Sequence, residues 1–145
     1  MGTKLIILGE GELKDELNTQ IDTLGLNDLI DIHEFVDNPY AYMRHSDLFV
    51  LTSQNEAFGN VIVESLACGT PVIVSESPYG QHGPPEIISN GKYGTIIPPG
   101  NYRKLAEEIE NMLHNEQNTD KLKNRAKEFS IENIINEYES IFDLT

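Results

Sequence analysis

One cysteine, few cations and no apolar run longer than a strand are the scarcities of this 145-residue sequence. Cys68, standing alone, cannot close an internal disulfide or build a thiolate zinc site. Ten Lys and Arg face 24 Asp and Glu, a formal net charge of −14. Such a field repels nucleic-acid phosphates and anionic lipid headgroups, which argues against both as partners. The apolar stretches are too short to cross a bilayer. The one near the start, Leu5 to Leu8, is also too short for a signal-peptide core and runs directly into Gly9 and Glu10. The expected compartment is cytoplasmic, with no nucleic-acid partner and no direct membrane insertion.

What is present is the material of one folded domain. Hydrophobic residues make up 39% and the chain length suits a single core, so residues 1–145 are expected to form one domain rather than a two-domain enzyme. Short apolar runs at Leu5 to Leu8, Ile30 to Phe35, Leu48 to Leu51, Val72 to Val74 and Thr95 to Ile97 predict strands. LIIL, LFVL and VIV are continuous rather than alternating, the pattern of strands covered on both faces by helices, as in a parallel sheet. Between them lie helical spacings: Leu13, Leu17, Ile21 and Leu24; then Tyr40 to His45; then Val61 to Ala67; then a short piece after Pro84. This alternation predicts a doubly wound, Rossmann-like α/β domain whose ligands bind outside the carboxyl ends of the strands. After Tyr102 the pattern is purely helical. Leu105, Ile109, Met112 and Leu113 form one apolar face and a second helix covers Asp120 to Phe129. A third turns Ile134, Ile135, Tyr138, Ile141 and Phe142 inward from about Ile131.

Gly9 and Gly11 follow the first strand and permit a tight turn, either close to a ligand or as a plain strand-to-helix connection. They are not part of a dinucleotide fingerprint, because the third glycine position is Lys14. The informative stretch runs from Thr52 and Ser53 through Glu56, Phe58, Gly59 and Asn60 into a helix near Val61. Gly59 lets the backbone approach a ligand, and the amides of Asn60, Val61 and Ile62 at a helix start suit a phosphate. Glu64 interrupts the apolar run of that helix, where a carboxylate is costly unless hydrogen-bonded or exposed, and vicinal sugar hydroxyls would satisfy it. Taken alone, Glu56 is equally readable as a solvated loop carboxylate, and Glu86 after Gly83-Pro-Pro as a helix-start carboxylate favoured by the dipole. His33, His45, His82 and His114 are scattered without metal-pair spacing, and His82 falls in the Pro78 to Pro85 loop on the ligand side. No metal is expected. Cys68 precedes Gly69-Thr-Pro71, where a small buried residue is the simpler reading than a nucleophile.

These residues carry a resemblance. Glu56-Ala-Phe-Gly-Asn-Val-Ile-Val-Glu64 resembles the E-x7-E motif of retaining nucleotide-sugar glycosyltransferases of the two-Rossmann-domain (GT-B) class, the glycosyl transferases group 1. Ser65 to Ile73, Gly83-Pro-Pro-Glu86, Asn90 to Gly94 and Ile97-Pro98 resemble the carboxyl-terminal half of that family in order and spacing. So do Lys4 to Gly11, Phe35 to Leu51 and Phe129 to Phe142. The resemblance implies that Glu64 binds the donor ribose and that Glu56, in a catalytic position, contacts the transferred sugar beside the reacting carbon. Phe58, Gly59, Asn60 and Val61 would complete the donor site, holding the diphosphate, with Ser53, Gly9, Gly11, Gly83 and Glu86 further out. It implies no metal or other cofactor, and a glycan or lipid-linked acceptor bound by an amino-terminal domain that this sequence does not include. It also implies an enzyme that is cytoplasmic or peripheral at the inner membrane face. In the family, one more strand and helix, carrying an Arg and a Lys for the diphosphate, precede the first strand seen here, so the chain is expected to be a fragment, inactive by itself.

Two other classes share the architecture. A phosphoryl-accepting receiver domain would need an Asp ending the third strand, where Leu51-Thr52-Ser53 stands. That receiver is the non-catalytic signalling or binding alternative, whereas a sugar-nucleotide epimerase half is not separable on fold alone.

Overall fold

Strand and helix alternate through the computed structural model, which describes residues 2–76 and 83–142. In chain order the elements are β1 (Leu5–Leu8), α1 (Lys14–Leu24), β2 (Ile30–His33), α2 (Pro39–His45), β3 (Phe49–Leu51), α3 (Asn60–Cys68), β4 (Val72–Ser75), α4 (Gly83–Ile87), β5 (Thr95–Ile97), α5 (Tyr102–His114), α6 (Thr119–Lys127) and α7 (Ile131–Phe142). Every strand pair is parallel. β1 pairs with β2 in the register Leu5 to Ile30, and β3, β4 and β5 form a three-stranded sheet in that order, with Phe49 opposite Val72 and Ile73 opposite Thr95. The second predicted strand ends at His33, two residues short of Phe35. Phe35 lies beyond the ladder and is highly exposed.

The chain divides into two compact units, Met1–Pro39 and Tyr40–Thr145. Among the described residues of the first, Ile21 of α1 is the one buried hydrophobic residue, while Leu5 and Ile6 of β1 and Leu13, Leu17 and Leu24 around α1 stay exposed. The continuous LIIL run predicts a strand covered on both faces. A unit of 39 residues with one full helix does not have the chain to do that.

The second unit holds the core. All four residues of β4 are buried, and the strand packs against α3, α4 and α5 as well as its two neighbours. Ile62 and Leu66 of α3, Val72 and Val74 of β4, Ile87 and Ile88 at the end of α4, and Leu122 and Ala126 of α6 close into one cluster. Close packing of this kind is where a parallel sheet obtains its stability. Asparagines start the two helices beyond it. Asn101 Oδ1 accepts from Lys104 N (3.0 Å) and Asn118 Oδ1 from Lys121 N (2.9 Å), each satisfying one otherwise unpaired amide.

The apolar face of α7 has the expected spacing but not the expected surroundings. Ile131, Ile134, Ile135, Tyr138, Ile141 and Phe142 are exposed, Ile131 to 77% and Ile141 to 73%. Helical periodicity identifies a face that seeks cover, not what covers it, and none of the described residues does. Among the described residues no helix is long and apolar enough to cross a membrane.

Candidate functional site

β3 ends at Leu51 and the loop Thr52 to Gly59 carries the chain from its carboxyl end into α3. Two ties fix the loop. At its start the Ser75 hydroxyl, at the end of β4, donates to the Ser53 carbonyl at 2.7 Å. At its far end Gly59 is buried with φ 95° and ψ 55°, a left-handed conformation that a residue with a Cβ adopts only under strain. A Cβ there would also stand 2.7 Å from Ile62 Cδ1 and 3.4 Å from Glu56 Cγ, so Glu56, half-buried, folds back against this turn.

Gly83 reaches the same loop from α4. A Cβ on it would lie 2.4 Å from the Ala57 carbonyl oxygen, 2.5 Å from Phe58 Cα and 2.7 Å from the Phe58 carbonyl oxygen. Backbone here touches backbone. Phe58 is partly exposed and its ring meets Phe129 edge-on at 6.0 Å, which ties the loop to the segment after α6.

No side chain caps the start of α3. Of the three amides that the sequence places at the helix start for an anion, that of Ile62 is already used, donating to the Gly59 carbonyl at 2.8 Å. Sequence spacing does not foresee this tight first turn, which takes Ile62 out of the three amides expected to receive an anion. Asn60 is exposed and Val61 half-buried. Glu64 lies one helical turn further on, about 6 Å along the axis. It is half-buried, and its Oε1 accepts from the Tyr40 hydroxyl of α2 at 3.4 Å, a long hydrogen bond. The carboxylate therefore sits at the boundary of the apolar face of α3, whose buried members are Ile62, Ser65 and Leu66.

The second unit thus brings Ser53, Glu56, Phe58, Gly59, Asn60, Val61, Glu64 and Gly83 onto one loop-helix corner. Glu86 is on the exposed side of α4, and what the structure uses is its backbone carbonyl rather than its carboxylate. Gly9 and Gly11 belong to the first unit, where Gly9 N donates to the His33 carbonyl at 2.9 Å and Lys14 N to the Gly11 carbonyl at 3.2 Å. A Cβ at either would meet no atom within 4 Å, so no neighbour there requires glycine for close approach. His82 and the loop residues 78–82 lie outside the described residues. Cys68 is half-buried, its Sγ 3.8 Å from the Tyr40 carbonyl.

Two contacts around this corner escape the sequence. Tyr40 is visible only as a helix residue, and its partner Glu64 is 24 positions away. Arg125 stands three residues after Leu122 and one before Ala126, both buried. A cation on an apolar stripe was the available signal. Its guanidinium donates from Nε to the Ile87 carbonyl (2.7 Å) and from Nη2 to the Glu86 carbonyl (2.7 Å), and pairs with Glu128. Among the described residues no group of three or more His, Cys, Asp and Glu side chains is placed to hold a metal. The clearest concavities, one of about 220 Å³ around Tyr93, Lys121 and Met112 and one on α1, are not lined by the loop-helix corner.

The fold that positions this corner is that of the GT-B glycosyltransferases. Residues 2–129 match the family described as glycosyl transferases group 1, and the chain belongs to that family. One relative is the N-acetylgalactosamine-N,N'-diacetylbacillosaminyl-diphospho-undecaprenol 4-alpha-N-acetylgalactosaminyltransferase of Campylobacter jejuni, 35% identical over 124 residues that cover 86% of this chain and 33% of the relative. Another is the lipopolysaccharide core biosynthesis glycosyltransferase LpsE of Rhizobium meliloti, 31% identical over 127 residues, 88% of this chain and 36% of the relative. Among solved structures, Anabaena HepE in complex with UDP superposes with a TM-score of 0.81 at 27% identity, covering 99% of this chain and 41% of HepE. HepE has also been solved with UDP-glucose. The chain spans about a third of the length of the curated relatives named here.

Proposed function

We propose that this chain is the donor-binding part of a retaining hexosyltransferase that moves a sugar from a nucleotide diphosphate donor to a glycan or lipid-linked acceptor, in the synthesis of cell-surface polysaccharide. The observation that carries the proposal is the corner at the carboxyl end of β3, where a left-handed Gly59 opens an uncapped helix beside Glu56, with Glu64 one turn along. In this reading the Asn60 and Val61 amides receive the diphosphate, where the positive end of α3 favours the charge that develops on the leaving group. Glu64 accepts from the ribose hydroxyls, and Glu56 from hydroxyls of the transferred sugar as its anomeric carbon becomes oxocarbenium-like. Family membership and the HepE complexes with UDP and UDP-glucose support a nucleotide-sugar donor. The diphospho-undecaprenol named for the Campylobacter relative supports a lipid-linked acceptor, met by an enzyme peripheral to the membrane.

The acceptor site belongs, in this reading, to a further domain of a longer protein. The uncovered face of α7 and the exposed Leu5, Ile6 and Leu17 support that view, since exposed apolar surface of this extent is costly unless another part of the protein packs on it. The reading requires no metal: amides and carboxylates perform the binding, and a chelator should leave it unchanged.

The test is calorimetric or NMR titration of the 145-residue chain with UDP, UDP-sugars and GDP-sugars. A diphosphate brings about two negative charges to a chain of net charge −14, against a fraction of a unit of positive charge at the start of α3, so a millimolar dissociation constant is expected. Absence of any response at Asn60, Val61 and Glu64 up to saturating ligand would refute the site. Binding below about 10 μM, near −7 kcal/mol, would show that the main anion-binding groups lie elsewhere in this chain.

A further inference from the structure

We propose that Arg125 is a positioning residue for the donor site, holding the Ala57 to Gly59 loop in place from a helix that has no other part in the site. The inference rests on reading that loop and α3 as the donor site. Two independent routes lead from the one guanidinium to Phe58, the residue before the helix-opening Gly59.

The first route runs through α4. This five-residue helix opens on Gly83, Pro84 and Pro85, and its last turn ends on the Glu86 and Ile87 carbonyls, of which Glu86 also accepts from Ser89 N at 3.0 Å. Arg125 ties that last turn to α6: Nε and Nη2 donate to the carbonyls of Ile87 and Glu86, in the planar fork that a lysine does not have. With its end pinned, α4 presses Gly83 onto the Ala57 and Phe58 backbone, a contact with no room for a methyl group. The second route runs through an aromatic ring. The guanidinium carbon lies 4.6 Å from the centroid of Phe129, and Phe129 meets the Phe58 ring at 6.0 Å and 72°. Glu128 completes the arrangement by pairing with Nη1, and the Arg125 side chain is only 14% exposed. Backbone and ring thus converge on one loop residue, and that residue sets where Gly59 and Glu56 lie.

The experiment compares the parent chain with Arg125→Met, Arg125→Lys and Lys127→Met. The last removes the same charge from the same helix, at an exposed side chain that donates to Asn124 Oδ1 at 3.4 Å. UDP and UDP-glucose are titrated into each ¹⁵N-labelled protein, and affinity is read from the amides of folded molecules. Arg125→Met should weaken UDP-glucose binding five- to twentyfold and shift the Phe58 and Gly59 amides before any ligand is added. Arg125→Lys should fall between it and the parent, and Lys127→Met should match the parent. If Arg125→Met does not fold, Phe129→Leu cuts the ring route alone and should give a smaller loss of the same kind. Variants that lower only the unfolding midpoint, with affinity and the Phe58 and Gly59 shifts at parent values, would reduce Arg125 to a stability residue and overturn the proposal. A parent chain whose Asn60, Val61 and Glu64 amides ignore UDP would instead refute the donor-site reading on which the proposal stands.

Discussion

Adding one methyl group at Gly83 should destabilise the second unit without touching any side chain of the site. A Cβ there would stand 2.4 Å from one backbone oxygen and 2.5 Å from a backbone Cα, both of the Ala57 and Phe58 segment, far inside van der Waals contact. Neither neighbour is the end of a flexible side chain, so relief requires the loop or α4 to move as a body. Overpacking of this kind costs about 1–3 kcal/mol. Gly→Ala also lowers the entropy of the unfolded chain, which offsets about 0.4–1 kcal/mol of that. Gly11→Ala isolates the offset, because no atom lies within 4 Å of its Cβ and its backbone is not left-handed. Urea unfolding should therefore show Gly11→Ala at or slightly above the parent midpoint, and Gly83→Ala below it by a net 1–2 kcal/mol or so. For a domain of this size that corresponds to roughly 3–5 °C in Tm per kcal/mol. The displaced loop carries Glu56 and Gly59, so UDP-sugar affinity should fall with the midpoint. Gly83→Ala unfolding at the parent midpoint would mean that α4 does not press on the loop, and the first of the two routes from Arg125 would be lost with it.

Other outcomes follow from single contacts. Glu64→Ala in the longer enzyme should weaken nucleotide diphosphate binding by roughly 1–3 kcal/mol, the range for charge-assisted hydrogen bonds to hydroxyls; unchanged affinity in a titration removes Glu64 from the site. Glu56→Gln in the longer enzyme should depress turnover more than UDP affinity, since its proposed partners belong to the sugar, and equal losses of UDP and UDP-sugar binding contradict that. Tyr40→Phe removes a 3.4 Å hydrogen bond from Glu64 and should cost UDP binding less than Glu64→Ala does; a larger loss would give Tyr40 its own contact with the ligand. In α5, hydrogen bonding from Lys104 Nζ at 2.6 Å holds the Glu108 carboxyl below its ordinary 4.5. That stabilisation is present above the ordinary value and is lost as pH falls through the lowered one, so parent and Glu108→Gln should differ slightly in stability at neutral pH and converge in acid.

Periodicity carries furthest where an element is buried by the chain's own residues. The VIV run of β4 is continuous because the strand is covered on both faces, and Val61 to Ala67 lies within α3 because Ile62 and Leu66 fill the core beneath it. It misleads where burial is missing. LIIL has the composition of a central strand, and α7 the spacing of a core helix, yet Leu5, Ile6 and the whole α7 face are exposed. Hydrophobicity in these segments records a packing requirement that the described residues do not meet. The site divides along the same line. Glu56, Gly59 and Glu64 sit close in sequence, on one loop and one helical turn, so their spacing suffices to assemble them. Gly83 and Phe129 reach the same loop from 24 or more positions away, Arg125 touches α4 and Phe129 behind them, and Gly83 is distinguished there only by having no side chain. Pairing of that kind leaves no period in a sequence. It leaves at most an anomaly, such as a cation on the apolar stripe of α6 between Leu122 and Ala126. That anomaly has an electrostatic cost as well: the Arg125 guanidinium directs Nε, Nη1 and Nη2 to Ile87, Glu128 and Glu86. Arg125 therefore shapes the site without neutralising a diphosphate, and cations for that task have to come from outside the loop-helix corner.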